Sequence, residues 1–300
     1  MSAGRIRRAY AEQKALAGGT WHTHIAAAGV PEPIVADDAD HVTQGYSVQK
    51  LAVAAAVLDK VDRGELSLGH TLDLPADLVL GGSGIYHLQT VWGDRVTLAG
   101  VLTAMLLVSD NTAVRMCGRV VPAGEINEIL AAKGFTHTRV EPVADPHRFL
   151  LGTTTPRETH DLLWRLATGT LLGPESTRFL LGVTRSLSGY HDGVRRTMSS
   201  AERGRVATKG GADFDARGAA RHEAGIMFGA GGAPLLTYAM FADGLAERDN
   251  YGSTHPAVQA HAVLGRVMMD ALPAGGTPGR LSIMIRPRTA CACTAGWVEP

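Results

Sequence analysis

Three short motifs stand in order along this 300-residue chain: Ser47-Val48-Gln49-Lys50, Ser109-Asp110-Asn111 and Lys209-Gly210-Gly211. A serine hydroxyl is a weak nucleophile and needs a base beside it. On a helix, residues three apart share a face, so Lys50 can hydrogen-bond the Ser47 hydroxyl. The N-terminus of that helix adds partial positive charge where an oxygen becomes anionic. A Lys50 that is desolvated and faces Lys209 would have a depressed pKa and act as a neutral base. That is acyl-transfer chemistry through a covalent serine intermediate. Each motif alone is weak, since Ser and Asp are common helix caps. Their order and separation carry the argument.

The elements that must position these residues are legible in outline. Residues 4–17 read as a helix ending at Gly18-Gly19. Trp21–Ala28 and Pro33–Ala36 read as strands around Gly29. Ser47 opens a helix in which Val48, Leu51, Ala52, Ala55, Leu58 and Val61 repeat at helical spacing, closed by Gly64. Residues 77–93 are loop-rich. Helical patterns follow at 97–107, 111–119 and 124–133. Thr155-Pro156-Arg157-Glu158 reads as a capping box opening a helix to about Ala167, and another helix fits 174–182. Arg205–Lys209, Glu223–Phe228 and Leu235–Ala242 read as strands, and His255–Leu272 as a final helix. Residues 1–46 and 200–285 would then form one α/β lobe and 47–199 an all-helical lobe inserted in it. A tail at 286–300 is expected to be poorly ordered.

Composition narrows the classes. Twenty-nine basic side chains balance 29 acidic ones, which argues against a nucleic-acid binder or a membrane-surface protein. No stretch is long and apolar enough to span a bilayer. The N-terminus lacks an apolar run of signal-peptide length, so a cytoplasmic protein is expected as the sequence stands, and a secreted or periplasmic one if a leader was removed. Three cysteines, Cys117, Cys291 and Cys293, give no disulfide framework. The histidines form no HExxH pattern and the glycines no phosphate-binding loop, so neither a metal nor any other cofactor is expected.

The sequence resembles the class A β-lactamases and their relatives among the penicillin-binding proteins. The resemblance rests on the three motifs, on Gly82-Ser83-Gly84, on the stretch from Met105 to Ala113, on Thr153-Thr154-Thr155-Pro156 and on the strands after Lys209. It covers roughly residues 20–270. It implies an α+β fold with an antiparallel sheet flanked by helices and an inserted helical lobe. It implies Ser47 as nucleophile, Lys50 as its base, Ser109 passing a proton to the leaving nitrogen, and Asn111 binding the substrate amide. Lys209 would hold a substrate carboxylate, and the N–H groups of Ser47 and Ala212 would form the oxyanion hole. Tyr46, Gly210 and Gly211 would line the pocket.

The resemblance also implies a deacylating base at Glu141, in Arg139-Val140-Glu141-Pro142. Here the sequence departs from the family. The stretch to Thr153 is about two residues short, Asp145 stands for an asparagine, and Gly152 for an acidic residue. Gly210 stands for a hydroxyl-bearing residue, and Arg221, His222 or Arg217 could compensate. His87 and Trp92 are rim candidates. The expected substrate is a small β-lactam. A cytosolic amidase, esterase or acyltransferase on another substrate is the alternative, as is a slowly deacylating β-lactam-binding protein.

Overall fold

The computed structural model describes residues 2–88 and 94–272. The 286–300 tail, Cys291, Cys293 and Trp92 lie outside the described residues. Helix α1 (Ala3–Ala17) ends at Gly18, whose N–H donates to the Lys14 carbonyl. Strands β1 (Thr20–Ala27), β2 (Val35–Asp37) and β3 (Thr43–Gln44) follow. A 3₁₀ turn at Tyr46–Gln49 leads into α2 (Lys50–Asp62). Ser47 therefore sits in the tight turn that enters the helix rather than on its first turn.

Next come β4 (Thr71–Asp73) and β5 (Arg95–Thr97), then α3 (Leu98–Leu107), α4 (Asn111–Val120) and α5 (Ala123–Ala132). Strands β6 (Arg139–Pro142) and β7 (Phe149–Thr154) precede α6 (Pro156–Ala167), α7 (Pro174–Thr184) and the short α8 (Ser200–Arg203). Then β8 (Val206–Asp215), β9 (Gly218–Phe228) and β10 (Pro234–Leu245) lead to α9 (Pro256–Ala271).

The main sheet is antiparallel, in the order β2-β1-β10-β9-β8. Its two faces feed two cores, as strand alternation requires. Trp21, Ile25, Val206, Met227, Tyr238 and Met240 pack with Ile6 of α1 and with Leu264 and Met268 of α9. Ala207, Ala224, Ile226, Ala239 and Phe241 face the helical block. Odd residues of β8 thus look toward α2 and even residues toward α9.

Every residue of α2 from Lys50 to Leu58 is buried, not one stripe of it. The helix runs through the middle of the block, in contact with α3, α4, α5 and α7. Small side chains at Ala52, Ala54, Ala55 and Ala56 let neighbours approach on all sides. The helical block also carries two small antiparallel sheets. β4 pairs with β5, and β7 lies between β3 and β6 in a three-stranded sheet.

The capping box before α6 closes only halfway. The Thr155 hydroxyl accepts the Glu158 N–H at 3.0 Å. The Glu158 carboxylate turns away and accepts the N–H groups of Thr136, His137 and Thr138 instead. It pins the turn before β6 to the start of α6.

Candidate active site

The three motifs converge on one cleft of about 1020 Å³. Ser47 and Tyr46 enter from the turn before α2, Ser109 and Asn111 from the α3–α4 junction, and Lys209, Gly210, Gly211 and Ala212 from β8. β8 is the sheet edge, so among the described residues its backbone groups on the open side have no strand partner.

Lys50 is fully buried beneath the cleft. Its ammonium nitrogen is 2.5 Å from the Ser109 carbonyl oxygen, 3.0 Å from Ser109 Oγ and 2.8 Å from Asn111 Oδ1. Lys209 Nζ approaches Ser109 Oγ from the other side at 3.0 Å and donates to the Gly210 carbonyl at 2.7 Å. One hydroxyl therefore bridges two amines. Burial pushes the Lys50 pKa down to about 7 from an ordinary 10.5, with Asp110 opposing. Lys209 is held well below its ordinary value by burial first and by repulsion from Lys50 second.

The scaffold behind these groups is specific. Asp110 is wholly buried and accepts the N–H groups of Ile85, Tyr86 and Ala113. It caps α4 and ties down the 80–88 loop at once. Asn111 donates to the Gly81 carbonyl, which leaves its Oδ1 aimed at Lys50. Gln49 donates to the carbonyls of Arg139 and Thr153, joining the Ser47 turn to β6 and β7. Tyr46 and Ser109 both have left-handed backbone, with φ of 44° and 57°. Non-glycine residues pay on the order of 1–2 kcal/mol there, and strain of this kind clusters where side chains must be aimed.

Gly211 meets the Ser47 turn directly. A Cβ there would lie 3.0 Å from the Val48 nitrogen and 3.1 Å from the Ser47 nitrogen. Only a glycine lets β8 come this close to the backbone amides of Ser47 and Val48. A Gly211→Val variant should keep its fold by circular dichroism while kcat falls by ~10²–10³, the loss that follows when one oxyanion donor is displaced. An unchanged kcat would show that the Ser47 and Ala212 amides do not act together.

Other sequence candidates fall in different places. His222 lines the cleft wall opposite Gly211 in register. Its ring lies 5.3 Å from that of Tyr46 and 4.7 Å from that of Phe241, and its Nε2 meets Asp243 Oδ1 at 3.3 Å. Arg221 also borders the cleft, but its guanidinium donates to the carbonyls of Asp213, Ala220, Arg248 and Asn250 and stacks on Tyr251. Its donors already have acceptors, so it braces the loop before α9. Arg217 pairs with Asp215 at the β8–β9 turn. His87 lies in the 3₁₀ turn Tyr86–Leu88 and does not line the cleft.

Glu141 is not brought to the cleft. It is exposed on β6, opposite Leu150, and lines a separate groove with Asn127, Arg139, Val140, Pro142, Gly152 and Thr153. The shortened stretch closes as a β6–β7 hairpin rather than an open loop. Gly152, with φ of 70° and no room for a Cβ beside the Arg139 carbonyl, makes that pairing feasible. The hairpin shows the cleft Val143, Arg148, Phe149, Leu150, Leu151 and Gly152 instead. Among the described residues, the carboxylate lining the cleft is Asp213, at its exposed mouth.

Sequence reasoning missed Tyr190, Tyr251, Val258 and His261, which line the far end of the cleft. They lie in loops or on α9 with no motif around them, so no local signal marks them. Away from the cleft, the described residues hold one group of three metal-capable side chains, His22, Asp38 and His41. The two imidazoles stack nearly parallel at 3.8 Å, so their in-plane lone pairs do not meet at a point. No helix among the described residues is long and apolar enough to cross a membrane.

A family model described as the β-lactamase enzyme family matches residues 3–272. No curated protein sequence matches the chain. The fold is similar to that of a β-lactamase from Sphaerobacter thermophilus, with 20% identity and a TM-score of 0.74 over 92% of this chain and 100% of that one. A β-lactamase from Chitinophaga pinensis is 21% identical, with a TM-score of 0.75 over 89% and 98%. An acyl-enzyme complex of a PBP-A mutant with penicillin G is 19% identical, with a TM-score of 0.71 over 90% and 96%.

Proposed function

The chain belongs to the β-lactamase enzyme family, and on that premise we propose that it opens β-lactam amides through an acyl-enzyme on Ser47. The observation that carries this reading is the Ser109 hydroxyl at 3.0 Å from both Lys50 Nζ and Lys209 Nζ, in the same cleft as Ser47. It supplies a base and a proton route without a histidine.

In the proposed sequence, neutral Lys50 takes the Ser47 proton as Oγ attacks the amide carbonyl. The oxyanion is held by the N–H groups of Ser47 and Ala212. Its collapse breaks the C–N bond, and the proton passes from Lys50 through the Ser109 hydroxyl to the ring nitrogen. Asn111 holds the substrate amide as well as Lys50. Lys209 draws the substrate carboxylate to the end of the cleft beside β8. The nucleophile and the ring-opened acyl group stay joined, so the adduct carries the whole mass of the β-lactam. Intact mass spectrometry with penicillin G should show that adduct on Ser47, and a chromogenic cephalosporin should be turned over. Neither adduct nor turnover would overturn the reading.

Water must then attack the acyl carbonyl, and this step has the weaker machinery. The hairpin presents apolar side chains and the Arg148 guanidinium where a base is needed, with Glu141 in a separate groove. We therefore place the rate limit at deacylation. Glu141→Gln should change kcat less than tenfold, and pre-steady-state mixing should show a burst of one acylation per enzyme. A loss of ~10²–10⁴, the contribution of a general base, would return Glu141 to that role through a hairpin movement.

A further inference from the structure

Gly210 faces α9, on the side of β8 opposite Lys209 and Gly211. A Cβ at this position would lie 3.1, 3.2 and 3.3 Å from Cε1, Cδ1 and Cζ of Tyr190. The phenol ring therefore occupies the volume that a residue-210 side chain would use. The two cannot both be present without one moving.

Tyr190 is not there by accident of a loose loop. Gly193 lies so close to Glu223 that a Cβ would collide with its carboxylate. The neighbouring Val194 N–H donates to Glu223 Oε2 at 2.9 Å. Arg195, buried, donates to the carbonyls of Thr184, Ser186 and Val206. These bonds tie the segment after the tyrosine to the sheet and, through Arg195, to the end of α7 before it. Tyr190 lines the cleft together with Lys209 and Gly210. Burial, reinforced by Glu223, raises its pKa far above the ordinary phenol value, so it stays protonated and can donate. Its hydroxyl makes no hydrogen bond within the described residues. The nearby Arg221 has already spent its donors on carbonyl oxygens.

We propose that Tyr190 is a specificity-determining residue for the anionic end of the substrate. Its phenol O–H donates to the carboxylate drawn in by Lys209, from the space that Gly210 leaves open. The inference rests on the acyl-enzyme reading above and adds to it the hydroxyl that β8 itself lacks. It also predicts that residues 190 and 210 act as one unit, because one volume is shared between them.

The test compares a chromogenic cephalosporin carrying a free carboxylate with its methyl ester. Tyr190→Phe should raise KM for the carboxylate about tenfold or more, the loss of a hydrogen bond to a charged group, with kcat within about twofold and the ester unaffected. Gly210→Thr should impair both substrates in the native background. In a Tyr190→Ala background the same change should restore carboxylate preference, since Thr then has room and brings its own hydroxyl. Circular dichroism and melting curves follow every variant, and Tyr190→Phe keeps the shape of the site if Gly210→Thr fails to fold. Equal effects of Tyr190→Phe on acid and ester, or none on either, overturn the inference while leaving the acyl-enzyme intact. No turnover and no Ser47 adduct in the native protein overturn both.

Discussion

Ser47→Ala is expected to lower kcat/KM for a chromogenic cephalosporin by roughly 10⁵–10⁶ and to abolish the penicillin adduct. No other group can replace the lost oxygen. The Ser109 hydroxyl is also in the cleft, but its Oγ already lies between two lysine nitrogens at 3.0 Å and its carbonyl is held by Lys50. Its backbone is fixed in a left-handed conformation. The fold should not suffer, because Ser47 is half-buried and none of the hydrogen bonds that tie its turn to β6 and β7 use its side chain. Binding of the intact β-lactam should survive, since Lys209, Asn111 and the oxyanion donors remain. Measuring both adduct mass and non-covalent binding separates loss of chemistry from loss of the site. A penicillin adduct on Ser109, or turnover above a few per cent, would remove Ser47 from the role of nucleophile.

Lys50→Met should slow acylation by ~10²–10⁴, the contribution of the base. The pH profile is the sharper measurement. With Lys50 near 7, the acylation rate should rise about tenfold per pH unit below that value and level off above it. In Lys50→Met the inflection should vanish, leaving a flat, low rate. Stability moves with the same group. The unfolded chain binds a proton near 10.5 that the native protein releases near 7, so Lys50 makes the native state more stable as pH rises from about 7 toward 10.5. Methionine fills similar volume without a charge to desolvate, so the variant should be more stable than the native protein below pH 7. A native acylation rate independent of pH between 5 and 9 would mean that Lys50 is not the base.

Much of this site could be read from the chain because short motifs mark its residues. Ser47 enters a helix, Asp110 caps one, and Lys209 lies in a strand ahead of two glycines. The helices at 98–107, 111–120 and 123–132 follow the periodicity expected of them. The main sheet likewise follows from strands at both ends of the chain. What could not be read depends on contacts between distant segments. Nothing near Gly210 announces Tyr190, twenty residues earlier, yet the ring explains the glycine. The capping pattern at Thr155 is correct in sequence, but Glu158 finds three amides at 136–138 more accessible than its own cap. Glu141 matches a motif, yet β6 leaves it exposed in a groove apart from the cleft. Arg221 has the right charge and lies at the right strand position, but carbonyl oxygens reach it first.

One bond pair has a dynamic meaning. The Gln49 amide holds both strands of the β6–β7 hairpin by their carbonyls, and Gln49 is only two residues from Ser47. The hairpin cannot breathe without breaking a contact of the turn that aims the nucleophile. Opening of the outer wall and loosening of the serine are thus one event rather than two.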